Sequence, residues 1–289
     1  MTNNFLDTPQ RSVKPRDYGI NSMIDNGVPT KYFIDVIESD APLIDIVKFG
    51  WCTGLVTKDI EQKIACLVKN NVEYYFGGTL FEKALSQNKL DAFYKFLKKF
   101  DCKLMEVSDG TMTISSKDKA RHIADFAKEF CVFSEVGKKD IDEANNMPIS
   151  RWIDEIHSDL AAGATKVILE ARESGKSGIC DANGNLRPDL VSSITKSRFR
   201  AADALWEAPN KMLQTSLISS IGPNVNLGNL PFGDIIALET LRLGIRSDTF
   251  NLYNSTGSGY ATQQDDRAAF DQPDRRGSSG LISNRTRKR

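Results

Sequence analysis

Short apolar runs alternate with longer amphipathic stretches along most of this chain, and this rhythm limits the folds open to it. The apolar runs that read as buried strands are 19–25, 44–50, 72–77, 103–108, 131–137, 166–170, 202–207 and 224–227. Helical segments follow them at 31–37, 59–70, 90–100, 117–130, 149–162, 190–197, 210–221 and 232–243. Eight evenly spaced strand–helix units predict an α/β protein with a single (β/α)8 TIM barrel over 16–250. An open doubly wound sheet is the weaker alternative, because no GxGxxG fingerprint follows the first strand.

The two ends of the chain differ from this region in composition. Residues 1–15 are polar and contain two prolines, so they are expected to form an N-terminal arm. Residues 251–289 are rich in Ser, Gly, Asp, Gln and Arg, which predicts a low-complexity, disordered tail. The tail ends in a cluster of Arg and Lys, which could contact RNA or an anionic surface, but an ordinary solvated tail is the better explanation.

Charge and apolar pattern exclude several classes of protein. The formal net charge is zero, so no overall field favours nucleic acid, and no apolar run approaches the length of a membrane span. The five cysteines are far apart and form no CxxC pair, which favours reduced thiols and a cytoplasmic location. With only two histidines, both in helical segments, a histidine-based metal site or a Ser-His-Asp triad is not expected.

Side-chain alternation along the strands brings acidic residues to one surface. Successive side chains of a strand point to opposite faces, so Glu106, Glu135, Glu170 and Glu207 all face the predicted lumen near the strand ends. Clustered carboxylates repel one another unless cations lie among them, and Mg²⁺ is the natural partner for such oxygen ligands. The alternative is a self-neutralised network of salt bridges, for which cations are available at Lys48, Lys139 and Arg172.

The loops at the predicted strand ends carry small residues and cations. Loops of this kind expose backbone N–H groups that suit a phosphate or a carboxylate. The residues predicted to bind the anionic groups of a substrate are Lys48, Gly77, Gly78, Thr79, Arg172, Ser174, Gly175 and Asn226. An acidic lumen beneath such a rim predicts an enzyme for a small phosphorylated or carboxylated substrate, and a Lys near Mg²⁺ suits enolate chemistry.

Nine ordered motifs carry a family resemblance across residues 14–250. They are KPRDYGINSMIDNG, DIVKFGW, GGTLFE, MEVSDGT, EVGKK, VILEARESGKSGI, EAPNK, GPNVNLGN and LETLRLGIRSDT. Together they resemble the phosphosulfolactate synthase family. The resemblance implies a TIM barrel, a homo-oligomer, and a carbon–sulfur lyase. The reaction it implies is Mg²⁺-dependent addition of sulfite to phosphoenolpyruvate, giving (2R)-phospho-3-sulfolactate on a route to coenzyme M.

The resemblance also implies roles for individual residues. Lys139 of the EVGKK motif would donate the proton to the carbon that becomes C2, with Lys138 beside it. The pool of metal ligands would be Glu106, Asp109, Glu135, Glu170 and Glu207. The chain departs from the family pattern at Cys52, Ala171 and Ser247, where glycine is common.

Two other functions stay open at this point. The family is also similar to plant heat-stress-associated proteins, which implies a non-catalytic barrel with a role in stress. A barrel enzyme that adds a nucleophile other than sulfite to phosphoenolpyruvate is the second alternative.

Overall fold

The computed structural model describes residues 5–138 and 141–253, and these fold as a (β/α)8 TIM barrel. Lys139 and the predicted tail at 251–289, apart from its first three residues, lie outside the described residues. The eight parallel strands are Asn21–Asp25 (β1), Ile46–Phe49 (β2), Glu73–Phe76 (β3), Leu104–Val107 (β4), Cys131–Val136 (β5), Lys166–Leu169 (β6), Ala204–Glu207 (β7) and Leu227–Leu230 (β8). The prediction of a TIM barrel is confirmed.

Seven neighbouring strand pairs form ladders, and one seam does not. The sheet runs in the order β3-β2-β1-β8-β7-β6-β5-β4, so the ring is continuous except between β3 and β4. These two strands still lie side by side, although no ladder joins them within the described ranges. Two bonds cross the seam instead: the Gly78 N–H donates to Glu106 Oε1 at 2.8 Å, and the Tyr74 hydroxyl donates to the Phe100 carbonyl at 2.6 Å. The barrel is therefore closed at this point by a side-chain carboxylate.

Helices surround the strands in the order that the sequence predicts, with two additions. The helices are Thr30–Asp40 (α1), Ile60–Lys69 (α2), Gly78–Ser86 (α3), Leu90–Lys99 (α4), Ser116–Phe126 (α5), Ile141–Asn146 (α6), Ile149–Ala162 (α7), Pro188–Thr195 (α8), Lys211–Ile221 (α9) and Ile235–Arg242 (α10). The predicted segments miss α3 and α6. The α3 helix begins at a Gly-Gly pair that reads locally as a loop.

Alternating side chains divide the core into an inner and an outer layer. The lumen floor consists of Ile20, Ile46, Tyr75, Leu104, Phe133, Ile168 and Leu205. Their strand neighbours, such as Val167 and Leu169, pack outward against the helices. Two residues further toward the carboxyl ends of the strands, the side chains that face the lumen include charged ones. The floor thus excludes water beneath the charged layer.

The N-terminal arm packs against the base of the barrel from Arg11 onward. Arg11 pairs with Glu239, and Arg16 with the buried Asp45, each at 2.9 Å. Lys14 donates to the carbonyl oxygens of Ala41 and Ile44 at 3.1 and 2.6 Å. These contacts seal the end of the barrel at which the strands begin.

Two further expectations concern covalent and membrane chemistry. All five cysteines are free thiols, as their spacing predicts. Within the described part of the chain, every helix is too short or too polar to cross a bilayer.

Candidate active site

A cavity of about 740 Å³ opens at the carboxyl ends of the strands. It is lined by Ile24, Asn26, Val28, Lys48, Trp51, Gly77, Gly78, Thr79, Glu106, Gly110, Thr111, Glu135, Glu170, Arg172, Glu173, Glu207, Pro209, Asn229, Pro231 and Phe232. This is the face on which TIM-barrel enzymes place their active sites. Most of the residues that the sequence predicts to act together line this cavity.

Three glutamates meet on one side of the charged layer of the lumen, within the lining of this cavity. Glu135 is the next-to-last residue of β5, Glu170 directly follows β6 and Glu207 ends β7, so three successive strands position them. Each can offer one carboxylate oxygen such that all three oxygens lie within 4.8 Å of one another. All three side chains are buried. We refer to Glu135, Glu170 and Glu207 as the glutamate triad, which has the size and donor type of a site for a hard divalent cation.

Hydrogen bonds from neighbouring loops fix the carboxylates of the triad. Glu207 accepts from the Ala171 N–H at 3.0 Å and from the Asn229 side-chain amide at 2.5 Å. The Arg172 N–H donates to Glu170. The Ser108 hydroxyl lies 3.1 Å from Glu135 Oε1. Each carboxylate is thereby oriented before any ligand arrives.

Lys48 lies at the centre of the lumen. Its Nζ is 3.1 Å from Glu106, 3.6 Å from Glu207 and 3.9 Å from Glu135. Burial alone would lower the pKa of this ammonium, but the attraction of Glu106, followed by that of other lumen groups, raises the pKa well above its ordinary value. The carboxylates around Lys48 thus favour its charged form.

The Gly77-Gly78 pair gives these side chains their room. A Cβ at position 77 would lie 2.9 Å from Lys48 Cε, and a Cβ at position 78 would collide with Ser108 and Glu106. The sequence predicts an anion-binding role for both glycines. The structure shows that the Gly78 N–H is already bonded to Glu106, so their evident role is to admit Lys48 and Glu106.

Glu106 is separate from the triad. Its two oxygens face Gly78 and Lys48, on the β2–β3–β4 side of the lumen. Glu106 belongs to the predicted pool of metal ligands, but its position identifies it first as the residue that bridges the β3–β4 seam.

Asp109 and Lys138 lie in a second cluster of buried charges outside the cavity lining. Lys138 Nζ is 2.6 Å from Asp109, and Lys119 Nζ is 3.3 Å from Asp109 and 2.9 Å from Asp159. We call Asp109, Lys119, Lys138 and Asp159 the outer cluster. Both Asp109 and Lys138 follow the ends of their strands, where alternation no longer decides the direction of a side chain. The structure thus places both residues outside the cavity lining, and their predicted roles in metal binding and catalysis stay predictions.

The predicted anion-binding residues divide into two groups. Thr79 and Arg172 line the mouth of the cavity, with Arg172 partly exposed and 3.6 Å from Glu173. Ser174 and Gly175 do not line it, and Gly175 packs against Asn210. The alternation of side-chain directions along β6 does not continue to Ser174 and Gly175, because Arg172 has a positive φ of 55° and turns the chain.

Asn226 lies at the opposite end of the barrel from the cavity. β8 begins at Leu227, three residues later than the predicted strand, so Asn226 precedes it. Its side-chain oxygen accepts from the N–H groups of Gly19 and Ile20, and its amide donates to the carbonyls of Ala202 and Ala204. With all its hydrogen bonds made, Asn226 joins the strands at the base and does not meet a ligand in this cavity.

Three residues of this region are absent from the predicted set. Asn229 was missed because the eighth strand was placed too early. Glu82 was missed along with α3; it accepts hydrogen bonds from the Thr111 and Met112 N–H groups at 2.8 and 2.7 Å and thus shapes the loop after β4. Trp51 follows β2 with a positive φ that no sequence pattern indicates.

Comparison with known proteins agrees with this geometry. A sequence model described as (2R)-phospho-3-sulfolactate synthase matches residues 9–248. A phosphosulfolactate synthase of Bacillus subtilis (strain 168) is 50% identical over 247 residues, covering 86% of this chain and 98% of the relative. One of Methanothermobacter thermautotrophicus is 39% identical over 251 residues, covering 86% and 97%.

Solved structures match this chain only distantly. A crystal structure of 3-hexulose-6-phosphate synthase matches with a TM-score of 0.49 and 14% identity, covering 77% of this chain and 99% of that one. So distant a match says nothing about substrate.

Proposed function

This chain belongs to the (2R)-phospho-3-sulfolactate synthase family, and on that basis we propose that it adds sulfite to phosphoenolpyruvate with Mg²⁺ as cofactor. The product would be (2R)-phospho-3-sulfolactate, which makes the protein a carbon–sulfur lyase in a route to a sulfonate such as coenzyme M. The proposal includes a cytoplasmic location, a homo-oligomer, and small-molecule partners without nucleic acid or membrane.

The observation that carries the proposal is the geometry of the glutamate triad. Three successive strands bring the buried carboxylates of Glu135, Glu170 and Glu207 so close that one oxygen of each lies within 4.8 Å of the others. Carboxylates packed this closely repel one another unless positive charge lies among them, and Lys48 and a divalent cation can both supply it. The triad offers three hard oxygen donors, which fit Mg²⁺. Bound there, Mg²⁺ would supply stabilisation of negative charge on the oxygens of the substrate.

The residues of the chain suggest how the substrate is held. Arg172 and the N–H of Thr79, the second residue of α3, would bind the phosphate or carboxylate at the mouth, since a guanidinium and a backbone N–H suit such anions. Lys48, fixed and charged below, would attract the anion into the cavity.

The reaction that we propose forms one bond and moves one proton. The sulfur of sulfite attacks the methylene carbon of phosphoenolpyruvate, and the π electrons pass toward the carboxyl group as an enolate. Lys139 then donates a proton to the carbon that bears the phosphate, which sets its configuration. This role for Lys139 is a prediction from the EVGKK motif, because the residue lies outside the described ranges.

An omission assay with purified protein tests the proposal. We expect turnover only when phosphoenolpyruvate, sulfite and Mg²⁺ are all present. Turnover with a different nucleophile in place of sulfite would favour the second alternative given above. Complete inactivity of folded protein would favour the non-catalytic, stress-related one.

Replacing Lys139 with Ala tests the proton donor. We expect Lys139→Ala to lose at least about 100-fold in kcat, the usual contribution of a positioned general acid, and to keep the fold. Lys196→Ala is the control, because Lys196 is exposed and remote from the cavity. Full activity of Lys139→Ala in the same assay would exclude the proposed role.

A further inference from the structure

Trp51 has a backbone conformation that its residue type disfavours. It directly follows Gly50 at the end of β2, with φ of 52°, and Cys52 continues the left-handed conformation with φ of 58°. Left-handed geometry costs about 1–2 kcal/mol per non-glycine residue, because the Cβ approaches the carbonyl oxygen. Two consecutive residues of this kind, one of them a tryptophan, need an explanation.

The surrounding structure holds this turn firmly. The Thr53 hydroxyl is within hydrogen-bond distance of the carbonyl oxygens of Asp25 and Gly50, at 3.0 and 2.8 Å. The Leu55 N–H donates to the Cys52 carbonyl at 3.0 Å. Gly54 packs so closely on the Phe76 ring that no side chain would fit there. The conformation of Trp51 is therefore imposed by its neighbours and is not a property of a loose loop.

Burial does not explain the conformation either. The Trp51 side chain is 53% exposed, whereas Trp152 and Trp206 are 0% and 2% exposed. A tryptophan normally stabilises a fold through the large area that it buries. Here the strained backbone instead places the indole in the lining of the cavity mouth. Strain of this kind typically persists where it serves a site.

The mouth of the cavity has an apolar side, and Trp51 belongs to it. Val28, Pro231 and Phe232 line the same cavity, while Arg172 and Glu173 contribute charge. A volume of about 740 Å³ holds a drug-sized ligand. Phosphoenolpyruvate and sulfite are much smaller, so a substrate bound at the charged layer of the lumen leaves space above it for water.

We propose that Trp51 is a substrate-contacting residue whose indole covers bound phosphoenolpyruvate and excludes water from the reacting carbons. The inference rests on the proposed function, because it takes phosphoenolpyruvate as the ligand. Covering the substrate matters for an enolate, since solvent protonation would compete with the enzyme's own proton donor. The apolar ring meets the methylene side of the substrate, and the indole N–H can donate to one of its oxygens.

Tryptophan fluorescence tests this contact without requiring turnover. The chain has three tryptophans, and Trp51 is the exposed one. Acrylamide quenching should therefore report mainly on Trp51. Saturating phosphoenolpyruvate with Mg²⁺ should lower the quenching constant about twofold, because the half-exposed ring becomes covered. In Trp51→Phe the quenching should be weak and independent of the ligand.

Replacing Trp51 with Gly separates a functional role from a structural one. Glycine adopts a positive φ without strain, so Trp51→Gly should melt no lower than the wild type. Its KM for phosphoenolpyruvate should nevertheless rise about tenfold, and its kcat should fall, because water enters the site. The matched control is Leu55→Ala, which changes an exposed apolar residue of the same turn that does not line the cavity.

The outcomes of these experiments distinguish a failure of this inference from a failure of the proposed function on which it rests. If phosphoenolpyruvate raises the melting temperature of the wild type but leaves the quenching unchanged, and Trp51→Gly keeps the wild-type KM, Trp51 does not contact the substrate while the proposed function stands. If the wild type neither binds nor consumes phosphoenolpyruvate, both proposals fall together.

Discussion

Two clusters of buried charge lie close together in this barrel, and they are composed differently. The outer cluster pairs two lysines with two aspartates. The lumen cluster brings Lys48 together with four glutamates, three of which offer oxygens within 4.8 Å of one another. Burying ions costs several kcal/mol each, and close pairing with the opposite charge recovers part of that cost. The paired outer cluster therefore reads as part of the scaffold, whereas the converging oxygens of the glutamate triad suit a further cation.

The outer cluster shows what a self-sufficient arrangement looks like. Burial would lower the pKa of the Lys119 ammonium, but Asp159 and Asp109 together raise it above its ordinary value. Lys119 also donates to the Glu135 carbonyl at 2.6 Å, and Ser134 donates to Asp159. Through these bonds the cluster ties β5, which carries part of the glutamate triad, to α5 and α7. The outer cluster thus helps to position Glu135 from the helix side of β5.

Neutralising one glutamate of the triad should have the largest effect of the changes considered, and it should act on activity instead of stability. We expect Glu170→Gln to lower kcat/KM about 10³-fold, comparable to removing a strong electrostatic contact from an active site. The melting temperature without Mg²⁺ should stay unchanged or rise, because one of several repelling charges is gone. Steady-state kinetics and calorimetry measure both effects, with Glu61→Gln as control, because Glu61 is exposed on α2 and does not line the cavity. A large loss of stability would mean that Glu170 belongs to a balanced network.

Removing a lysine from the outer cluster should affect the fold instead. Lys119→Met leaves Asp109 and Asp159 buried with less compensation, so we expect a loss of about 3–5 kcal/mol in the free energy of unfolding. Urea denaturation measures this loss. Lys117→Met is the matched control, because Lys117 is exposed on the same helix. A change of less than about 1 kcal/mol, the range of surface pairs, would contradict the structural role of the cluster.

The smallest expected effect concerns how the triad is oriented. At a hundredfold excess over Kd, Mg²⁺ should stabilise the wild type by about 2.7 kcal/mol. For a domain of this size, that raises Tm by roughly 5–10 °C. Asn229→Gly keeps the positive φ of 52° but removes the amide that holds Glu207. We expect about tenfold weaker Mg²⁺ binding, and hence about half the shift at the same concentration.

Asn88→Gly is the control for that measurement, since Asn88 also has a positive φ, 55°, and is exposed far from the cavity. An equal shift in Asn229→Gly and wild type would show that Asn229 does not position Glu207. Absence of any shift in the wild type would favour the self-neutralised network of salt bridges.

The sequence predicts those features that depend only on covalent geometry. Lys48, Glu106, Glu135 and Glu207 face the lumen because alternation within a strand leaves no other choice. Glu170, the first residue after β6, keeps the same alternation. The barrel itself was predictable from the eight evenly spaced strand–helix units.

Features beyond the strand ends could not be predicted in this way. Asp109 and Lys138 turn to each other where the chain is no longer extended, and only their buried contact settles the direction. Asn226 was misplaced because Gly228 and Asn229, in the middle of β8, have low strand propensity and hid the true register. The left-handed turn at Trp51 depends on Phe76 and Asp25, which are distant in sequence.

Arg242 has a consequence for how the chain is synthesised. From the last described helix it reaches under the barrel, donating to the Pro223 and Val225 carbonyls and to the Asn21 side chain, 221 residues earlier. A ribosome adding about 5–20 residues per second needs roughly 10–40 s to cover that distance. During this time β1 lacks both β8 and this buried guanidinium. The nascent chain therefore spends most of its synthesis with an exposed strand edge, and this interval is when it would depend most on protection from aggregation.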